Sequence, residues 1–177
     1  MSKPQDPKPA KLVIGLFTKE RALFEALVDE LGSHFGPLDL VSPWMPFDYT
    51  SYYEQEMGRP LFRRLVVFKS LIAQIDLAGI KLRTNRLEDR YTHNERRRVN
   101  IDPGYLLNER FVLASGKNFS HRIYIGDRIY ADLTLIYQRG AFEKLPWTYP
   151  DYADQPVIRF LVQARAKYAA DLKGIKL

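Results

Sequence analysis

The spacing of apolar and polar positions divides the first part of the chain into short segments. Residues 11–18 form a continuous apolar, β-rich run that predicts a strand, and residues 65–68 predict a second strand. Between them, residues 19–35 place apolar side chains about every fourth position, which predicts an amphipathic helix with Thr18 as its N-cap. The chain therefore begins with a strand followed by a helix.

The middle of the chain is less regular. A proline-punctuated stretch predicts a loop with a short helix around residues 51–57, and residues 82–91 have helical character. Residues 97–101 alternate as an extended segment does. Pro103-Gly104 predicts a sharp turn, and the apolar spacing of residues 105–115 predicts a helix after it.

The last third contains the clearest hairpin. Residues 121–137 alternate on both sides of Gly126-Asp127, which predicts a two-residue turn that places His121 opposite Asp132. Residues 154–172 then predict an amphipathic helix.

This order of elements predicts one α+β domain with a mixed β-sheet, a C-terminal antiparallel hairpin, and helices packed mainly on one face. We expect residues 1–10 to form a flexible tail and residues 11–177 to form the domain. The tail is rich in lysine and proline and lacks the apolar region of a secretory signal.

Composition narrows the class of protein. The 177 residues include no cysteine, which removes disulfides and thiolate chemistry and is consistent with a reducing, cytoplasmic location. The net charge is +6, which favours anionic partners such as phosphates, nucleotides or nucleic acid. No apolar run is long enough to span a membrane.

Two polar clusters in the first two thirds of the chain are candidates for a site. The first, in residues 48–58, offers Asp48, Tyr52, Tyr53, Glu54 and Glu56 as ligand-binding residues. A structural alternative is a helix cap with tyrosines covering the core. The second cluster surrounds a predicted strand end.

In this second cluster, alternation sends Arg98, Asn100 and Asp102 to one face and Arg97 to the other. Guanidinium groups match phosphoryl oxygens, so Arg98 with Asp102 is a candidate for holding a phosphate or a metal-bound phosphate, and Arg97 and Asn100 are further ligand-binding candidates. A salt bridge beside an Asp-Pro-Gly turn explains the same residues without a ligand.

The other two clusters lie nearer the C-terminus. A carboxylate opposite a histidine can fix its tautomer, so His121 and Asp132 are candidate catalytic residues together with Asp102, and Tyr124 is a nearby ligand-binding candidate. A structural His–Asp pair is the alternative. The fourth cluster is a proline-flanked aromatic loop with Trp147, Tyr149 and Asp151, which suits stacking on a nucleobase or a plug over the core edge.

Four segments together resemble a known family. These are FDYTSYYEQEMG (47–58), RRVNIDPGYL (97–106), HRIYIGDRIYADLTL (121–135) and LPWTYPDY (145–152). In this order they resemble the landmarks of the bacterial domain of unknown function family numbered 4416, over residues 11–168. The resemblance implies no established activity. Some members are described as GTP-binding, whereas this chain has neither a GxxxxGK[ST] phosphate loop nor an NKxD motif.

The leading functional hypothesis is a site for a small phosphate-bearing molecule or nucleotide, with enzymatic activity left open. In it Arg98 holds the anion and His121, oriented by Asp132, moves a proton. The residues expected to converge are Asp48, Glu54, Glu56, Arg98, Asn100, Asp102, His121, Asp132 and Asp151.

Two other classes remain open at this stage. A nucleic-acid-binding module would use Lys11, Arg59, Arg63, Arg64 and residues 96–98 to contact phosphates. A protein-interaction domain would use the aromatic loops as an interface. The sequence does not identify a cofactor, a metal or an oligomeric state.

Overall fold

The computed structural model describes residues 2–174. The α-helices are α1 (Phe24–Phe35), α2 (Glu54–Met57), α3 (Leu77–Arg90) and α4 (Gln155–Gly174). Two 3-10 turns, Arg21–Leu23 and Gln74–Asp76, lead into α1 and α3. The strands are β1 (Ala10–Thr18), β2 (Leu38–Val41), β3 (Met45–Pro46), β4 (Phe62–Ile72), β5 (Thr92–His93), β6 (Arg96–Arg97), β7 (Val99–Leu106), β8 (Arg110–Ser115), β9 (Arg122–Gly126), β10 (Ile129–Gln138) and β11 (Ala141–Lys144).

Nine of these strands form one large sheet, and β5 and β6 form a small separate hairpin. The order across the large sheet is β11-β10-β8-β7-β1-β4-β2, with β3 added to β4 and β9 added to β10. Each pairing is antiparallel, so the sheet predicted to be mixed is a large antiparallel one. The predicted α+β class, with helices added to a sheet, is confirmed.

Helices cover both faces of the sheet because its central strand is buried on both sides. Leu12, Ile14 and Leu16 of β1 belong to the apolar cluster that contains buried residues of α1 and α3. Val13 points to the other face and belongs to the cluster that includes Phe160 and other buried residues of α4. Two long helices therefore share one face, as the sequence predicts, and α4 covers the opposite one.

The sheet splits where β7 runs past the end of its pairing with β8. Their pairing covers only residues 104–106 of β7, so the edge of the strand near Ile101 has no strand partner on that side. Helix α3 takes this place: Glu88 Oε1 accepts from the Ile101 N–H at 2.5 Å, and Lys81 Nζ donates to the Ile101 carbonyl at 3.0 Å. The backbone is satisfied although the strands diverge, and a cleft opens beside this gap.

The turn predicted at Pro103-Gly104 and the helix predicted for residues 105–115 are wrong. Both residues lie inside β7, and the following residues enter the β7–β8 pair. Gly104 is required by close packing and not by a turn, because a Cβ there would lie 2.5 Å from the Val112 carbonyl oxygen. Pro103 pairs with Ile14 just outside the β7–β8 ladder, where the missing N–H is tolerated.

The predicted hairpin is present, but its register is shifted by one residue. The turn residues are Asp127 and Arg128, with φ of 53° and 63°, the backbone conformation of a tight turn that fits the twist of the strands. A bulge follows at Ile129, and Arg122, not His121, lies opposite Asp132.

Two further expectations differ in detail or stay untested. Thr18 does not cap α1; its hydroxyl accepts from the Glu20 N–H and donates to the Arg98 carbonyl, so it ties β1 to the start of β7. The flexible tail stays a prediction, although the Pro9 carbonyl accepts a hydrogen bond from Tyr168. Within residues 2–174, no helix combines the length and apolarity needed to cross a membrane.

Candidate functional site

The sheet face that α4 covers becomes polar toward the start of α4. Phe17 of β1 lies opposite Arg63 of β4 and Asn100 of β7, and Gly15 lies opposite Asp102. Residues directly opposite one another in neighbouring strands project to the same face, so these side chains share one surface. They line a cleft of about 890 Å³.

The lining of this cleft combines charge with aromatic rings. Among residues 2–174, the cations that line it are Arg63, Lys81, Arg97, Lys117 and Arg122. The carboxylates are Glu88, Asp89, Asp102, Asp132 and Asp151. The rings are those of Phe17, Phe47, Tyr49, Tyr52, Tyr53, Tyr149 and Tyr152.

Arg63, Asp151 and Tyr152 are buried and form what we call the cleft floor. Arg63 donates through one terminal nitrogen to Asp151, and its guanidinium carbon lies 4.3 Å from the centroid of the Tyr152 ring. The Arg63 Nε and the Tyr152 hydroxyl are enclosed and have no hydrogen-bond partner among the described residues. Such groups are rare in folded proteins, because a buried polar atom without a partner destabilises the fold.

Gly15 leaves room for the Tyr152 hydroxyl at the centre of the sheet. A Cβ on Gly15 would lie 2.8 Å from that oxygen, closer than a carbon side chain allows. Burial raises the pKa of Tyr152, so the phenol keeps its proton and remains a donor at neutral pH. The strand residue and the loop residue therefore position one donor at the floor.

One wall of the cleft is a chain of polar contacts along β7. Asn100 Nδ2 donates to Asp102 Oδ2 at 2.6 Å, and Lys81 Nζ lies 3.4 Å from Asp102 Oδ1. Arg97 donates to the Asn100 side-chain oxygen at 3.0 Å and to both Glu56 oxygens at 2.6 and 2.8 Å. The wall is thus internally bonded, and its charges are matched.

The pKa values of the two carboxyl groups that contact Arg97 are shifted in opposite directions. The bonds from Arg97 lower the pKa of Glu56, which is bound as a carboxylate. Burial raises the pKa of Glu88, although the charges of Lys81 and Arg97 oppose that shift. Glu88 contacts Arg97 at 3.3 Å, so a carboxyl group of reduced acidity faces the cleft.

Tyr52, Lys117 and Tyr149, which are exposed, form what we call the cleft mouth. Lys117 Nζ lies 3.3 Å from the Tyr52 hydroxyl and 5.0 Å from the centroid of its ring. Tyr149 accepts from Arg122 at 2.8 Å, and Arg122 also donates to Asp132 at 2.8 Å. Flat rings and an exposed cation are therefore available where a ligand would enter.

The predicted His121–Asp132 pair forms, but His121 does not line the cleft. Its Nε2 lies 3.3 Å from Asp132 Oδ2, and its ring stacks on Trp147 with centroids 4.9 Å apart. The Trp147 indole donates to the Leu133 carbonyl at 2.8 Å. Because Arg122 lies opposite Asp132 and donates to it at 2.8 Å, the carboxylate is shared between the histidine and the arginine.

The structure brings together part of the predicted site. The predicted residues that line the cleft are Tyr52, Tyr53, Arg97, Asn100, Asp102, Asp132, Tyr149 and Asp151. The predicted residues that do not line it are Asp48, Glu54, Glu56, Arg98, His121, Tyr124 and Trp147. Tyr124 is exposed on β9 and packs edge-on against Tyr130.

Arg98 lies outside the cleft because the extended segment bends there. Its Nε donates to Glu20 Oε1 at 2.8 Å, on the rim of a smaller cavity of about 340 Å³. Glu54 and Glu56 line the same small cavity, and Glu54 pairs with Arg59. The bend reverses the predicted alternation: Arg97, not Arg98, reaches the side of Asn100 and Asp102.

Several cleft residues are not among the candidates for the small-ligand site, although Arg63 is one of the residues predicted for the nucleic-acid alternative. Arg63 interrupts an apolar strand, and Lys81 and Glu88 are seven positions apart on one side of α3; such polar interruptions are signals that the sequence does contain. Tyr152 lies next to the predicted Asp151. Lys117 and Arg122 carry no comparable signal in the pattern.

The described part of the chain offers no preformed metal centre. Within residues 2–174, no group of three or more histidine, aspartate or glutamate side chains is arranged to hold a metal ion. Four of the five carboxylates that line the cleft, Glu88, Asp102, Asp132 and Asp151, instead pair with arginine or lysine side chains.

Comparison with known proteins identifies a family but no activity. The sequence model of the family described as Domain of unknown function (DUF4416) matches residues 8–168. No curated protein and no solved structure matches the chain.

Proposed function

Because the chain belongs to the DUF4416 family, whose description gives no activity, we propose its function from the cleft alone. The protein is a small-ligand-binding domain that takes a phosphate-bearing molecule or a nucleotide in the 890 Å³ cleft. Concave sites with aromatic walls and a few convergent polar groups are the usual form of such sites.

The two unpartnered groups of the cleft floor carry this proposal. Arg63 and Tyr152 are each 2% exposed, yet the Arg63 Nε and the Tyr152 hydroxyl lack partners among the described residues. Their arrangement destabilises the fold and is useful only when an acceptor atom approaches. Both atoms are enclosed in the ligand-free protein, so a ligand oxygen or ring nitrogen would supply that acceptor only after the side chains that cover the floor move.

The proposal concerns binding. His121 is the candidate proton carrier predicted from sequence, and it stacks on Trp147 outside the cleft. Catalysis by His121 would require a reacting group to approach it from another side. We also propose a cytoplasmic location, on the basis of the absence of cysteine.

Nucleic-acid binding is the second candidate, and the exposed rings of the cleft mouth favour it. Tyr52 and Tyr149 could stack on bases beside Lys117. Of the cations assigned to phosphate contacts, however, Lys11 and Arg63 are buried and paired with carboxylates. A short single strand at the mouth is the form of this candidate that the structure accommodates.

The test is a thermal-shift and titration screen of the wild type and two tyrosine variants. The panel contains nucleosides, nucleoside monophosphates, sugar phosphates and single-stranded oligonucleotides. A ligand that binds only the folded state raises the melting temperature. We expect a shift with wild type that is lost in Tyr152→Phe, which removes only the floor hydroxyl.

Tyr168→Phe is the matched control. Tyr168 is also buried, but its hydroxyl donates to the Pro9 carbonyl at 2.7 Å, away from the cleft. The control should keep the ligand-induced shift. No shift with any compound would contradict the proposal, and equal loss in both variants would place binding elsewhere. Shifts with oligonucleotides alone that fall steeply with salt would favour the second candidate.

A further inference from the structure

The cations that line the cleft are paired with carboxylates except at its mouth. Four of the five cations have a carboxylate partner: Arg63 with Asp151, Lys81 with Asp102, Arg97 with Glu56 and Glu88, and Arg122 with Asp132. Lys117 is the exception. Among residues 2–174 its contact is with the neutral phenol of Tyr52, and no carboxylate lies within ion-pair distance.

This pattern determines where an anionic group is stabilised. An anion on the floor would meet an arginine whose charge Asp151 already balances, so one buried negative charge would be left without a partner. At the mouth the same anion would pair with Lys117 in contact with solvent. The floor and the mouth therefore select different parts of a ligand.

The floor also has acceptors close to its donors. Arg63 donates to Asp151, and Asp102 lies opposite Gly15, the residue against which the Tyr152 hydroxyl packs. A group that accepts from Arg63 Nε and Tyr152 while donating to a carboxylate complements these atoms. Amides and the edges of heterocyclic bases combine an acceptor and a donor in this way.

We infer that the ligand binds with an uncharged hydrogen-bonding head on the cleft floor and with its anionic tail at Lys117. This inference rests on the proposed function and specifies the orientation and class of its ligand. The class is a heterocyclic or amide head joined to a phosphate. The rings of the mouth lie where the middle of such a ligand passes.

The experiment compares three kinds of probe by calorimetric titration. They are the four common ribonucleosides, their 5′-monophosphates and inorganic phosphate. Four proteins are used: wild type, Tyr152→Phe, Lys117→Ala and the control Lys144→Ala, which removes an exposed lysine of β11. Lys144 does not line the cleft.

We expect at least one nucleoside to bind wild type, and its monophosphate to bind more tightly. Tyr152→Phe should weaken both by roughly tenfold, since one hydrogen bond to the head is lost. Lys117→Ala should leave the nucleoside affinity unchanged and remove most of the gain from the phosphate. Lys144→Ala should match wild type for every probe.

Two results would overturn the inference, and they differ from each other. If inorganic phosphate binds in a way that depends on Tyr152 while nucleosides do not bind, the anion occupies the floor and the orientation is reversed, although the cleft is still a ligand site. If no probe binds wild type, and the wider screen above is also silent, the proposed function fails together with the inference.

Discussion

Two buried cations lie on the same face of the sheet, near opposite ends of α4, and their hydrogen bonding differs. Lys11 is 0% exposed and donates to Asp39 at 2.6 Å, Asp171 at 2.6 Å and the Lys69 carbonyl at 3.3 Å. An ammonium group has three donors, so Lys11 is fully bonded. Arg63, 2% exposed, donates to Asp151, but its Nε has no partner among residues 2–174.

The difference separates a structural cluster from the floor of the proposed binding site. The Lys11 cluster has matched charges and complete hydrogen bonds, so it holds β1, β2 and α4 together and needs nothing more. The Arg63 cluster has matched charges and incomplete hydrogen bonds. Buried ionic groups of similar composition thus differ by one donor that is unpaired among the described residues, which the ion pairs alone do not reveal.

The largest effect is expected at the complete site. Lys11→Met should lower the free energy of unfolding by about 3 kcal/mol, because Asp39 and Asp171 lose their buried partner. Urea denaturation measures this. The control Lys167→Met removes a lysine that contacts the same two aspartates but is partly exposed, and it should destabilise the protein much less than Lys11→Met does. Equal effects would show that burial of Lys11 is not what matters.

The next largest effect on stability is expected at Gly15, which packs against Tyr152 of the cleft floor. Gly15→Ala should destabilise by about 2 kcal/mol, because the new methyl group and the Tyr152 hydroxyl compete for one position. In a Tyr152→Phe background the same change should cost much less, since the oxygen is absent. A double-mutant cycle of thermal unfolding measures the coupling. Additive effects would mean that the hydroxyl does not occupy this space.

Tyr152→Phe alone should stabilise the protein, which is unusual for a substitution in the core. Removing a buried hydroxyl without a partner should raise the free energy of unfolding by about 1 kcal/mol, whereas Tyr168→Phe, which loses a bond, should lower it by about 1 kcal/mol. Chemical denaturation of both variants tests this contrast. A loss of stability in Tyr152→Phe would indicate that the hydroxyl is already bonded in the free protein.

The smallest effect is the pH dependence of the Lys11 cluster. Burial by itself would raise the pKa of Asp171, but the bonds from Lys11 and Lys167 outweigh it and hold the pKa below its ordinary value of 3.8. Because the pKa of Asp171 is lower in the folded state, its stabilisation is fully present at a pH above the pKa of the unfolded state. The stabilisation is lost as the pH falls through the pKa of the folded state.

Unfolding free energies measured from pH 6 downward test this effect. The Asp171→Asn variant should lose less stability than wild type below about pH 4, since the titrating group is absent. Identical slopes for the two proteins would contradict a native-state bond that favours the Asp171 carboxylate.

Sequence patterns predicted the elements that depend on local periodicity. The first strand, the helices around residues 24–35 and 155–174 and the hairpin are all found. The failures have non-local causes. Pro103-Gly104 resembles a turn locally, but Gly104 is needed because Val112 packs against it from another strand. The predicted turn, Gly126-Asp127, lies one residue before the observed one. Asp127 and Arg128 both take positive φ, and this pair is not one of the sequences that usually form such a turn.

The candidate site was predicted only in part for a related reason. Asn100, Asp102 and Asp151 were found because polar residues at strand ends and loops are visible in the sequence. Strict alternation along the strand predicts Arg98, and not Arg97, on the face of Asn100 and Asp102. The bend at Arg98 breaks that alternation. The sequence pattern gives no signal for Lys117, because what distinguishes it is that its ammonium contacts Tyr52 and no carboxylate among residues 2–174, which only the assembled structure shows.

The Lys11 cluster also has a consequence for the order of events during synthesis. Lys11 is in the central strand, which pairs with β4 and β7, yet its buried charge is balanced in part by Asp171 at the far end of the chain. Until residue 171 has left the ribosome, the sheet face that α4 covers stays open, and Lys11 has Asp39 but not Asp171 as a carboxylate partner. We therefore expect the nascent chain to remain loosely organised until α4 emerges, and then to complete its central strand in a single late step.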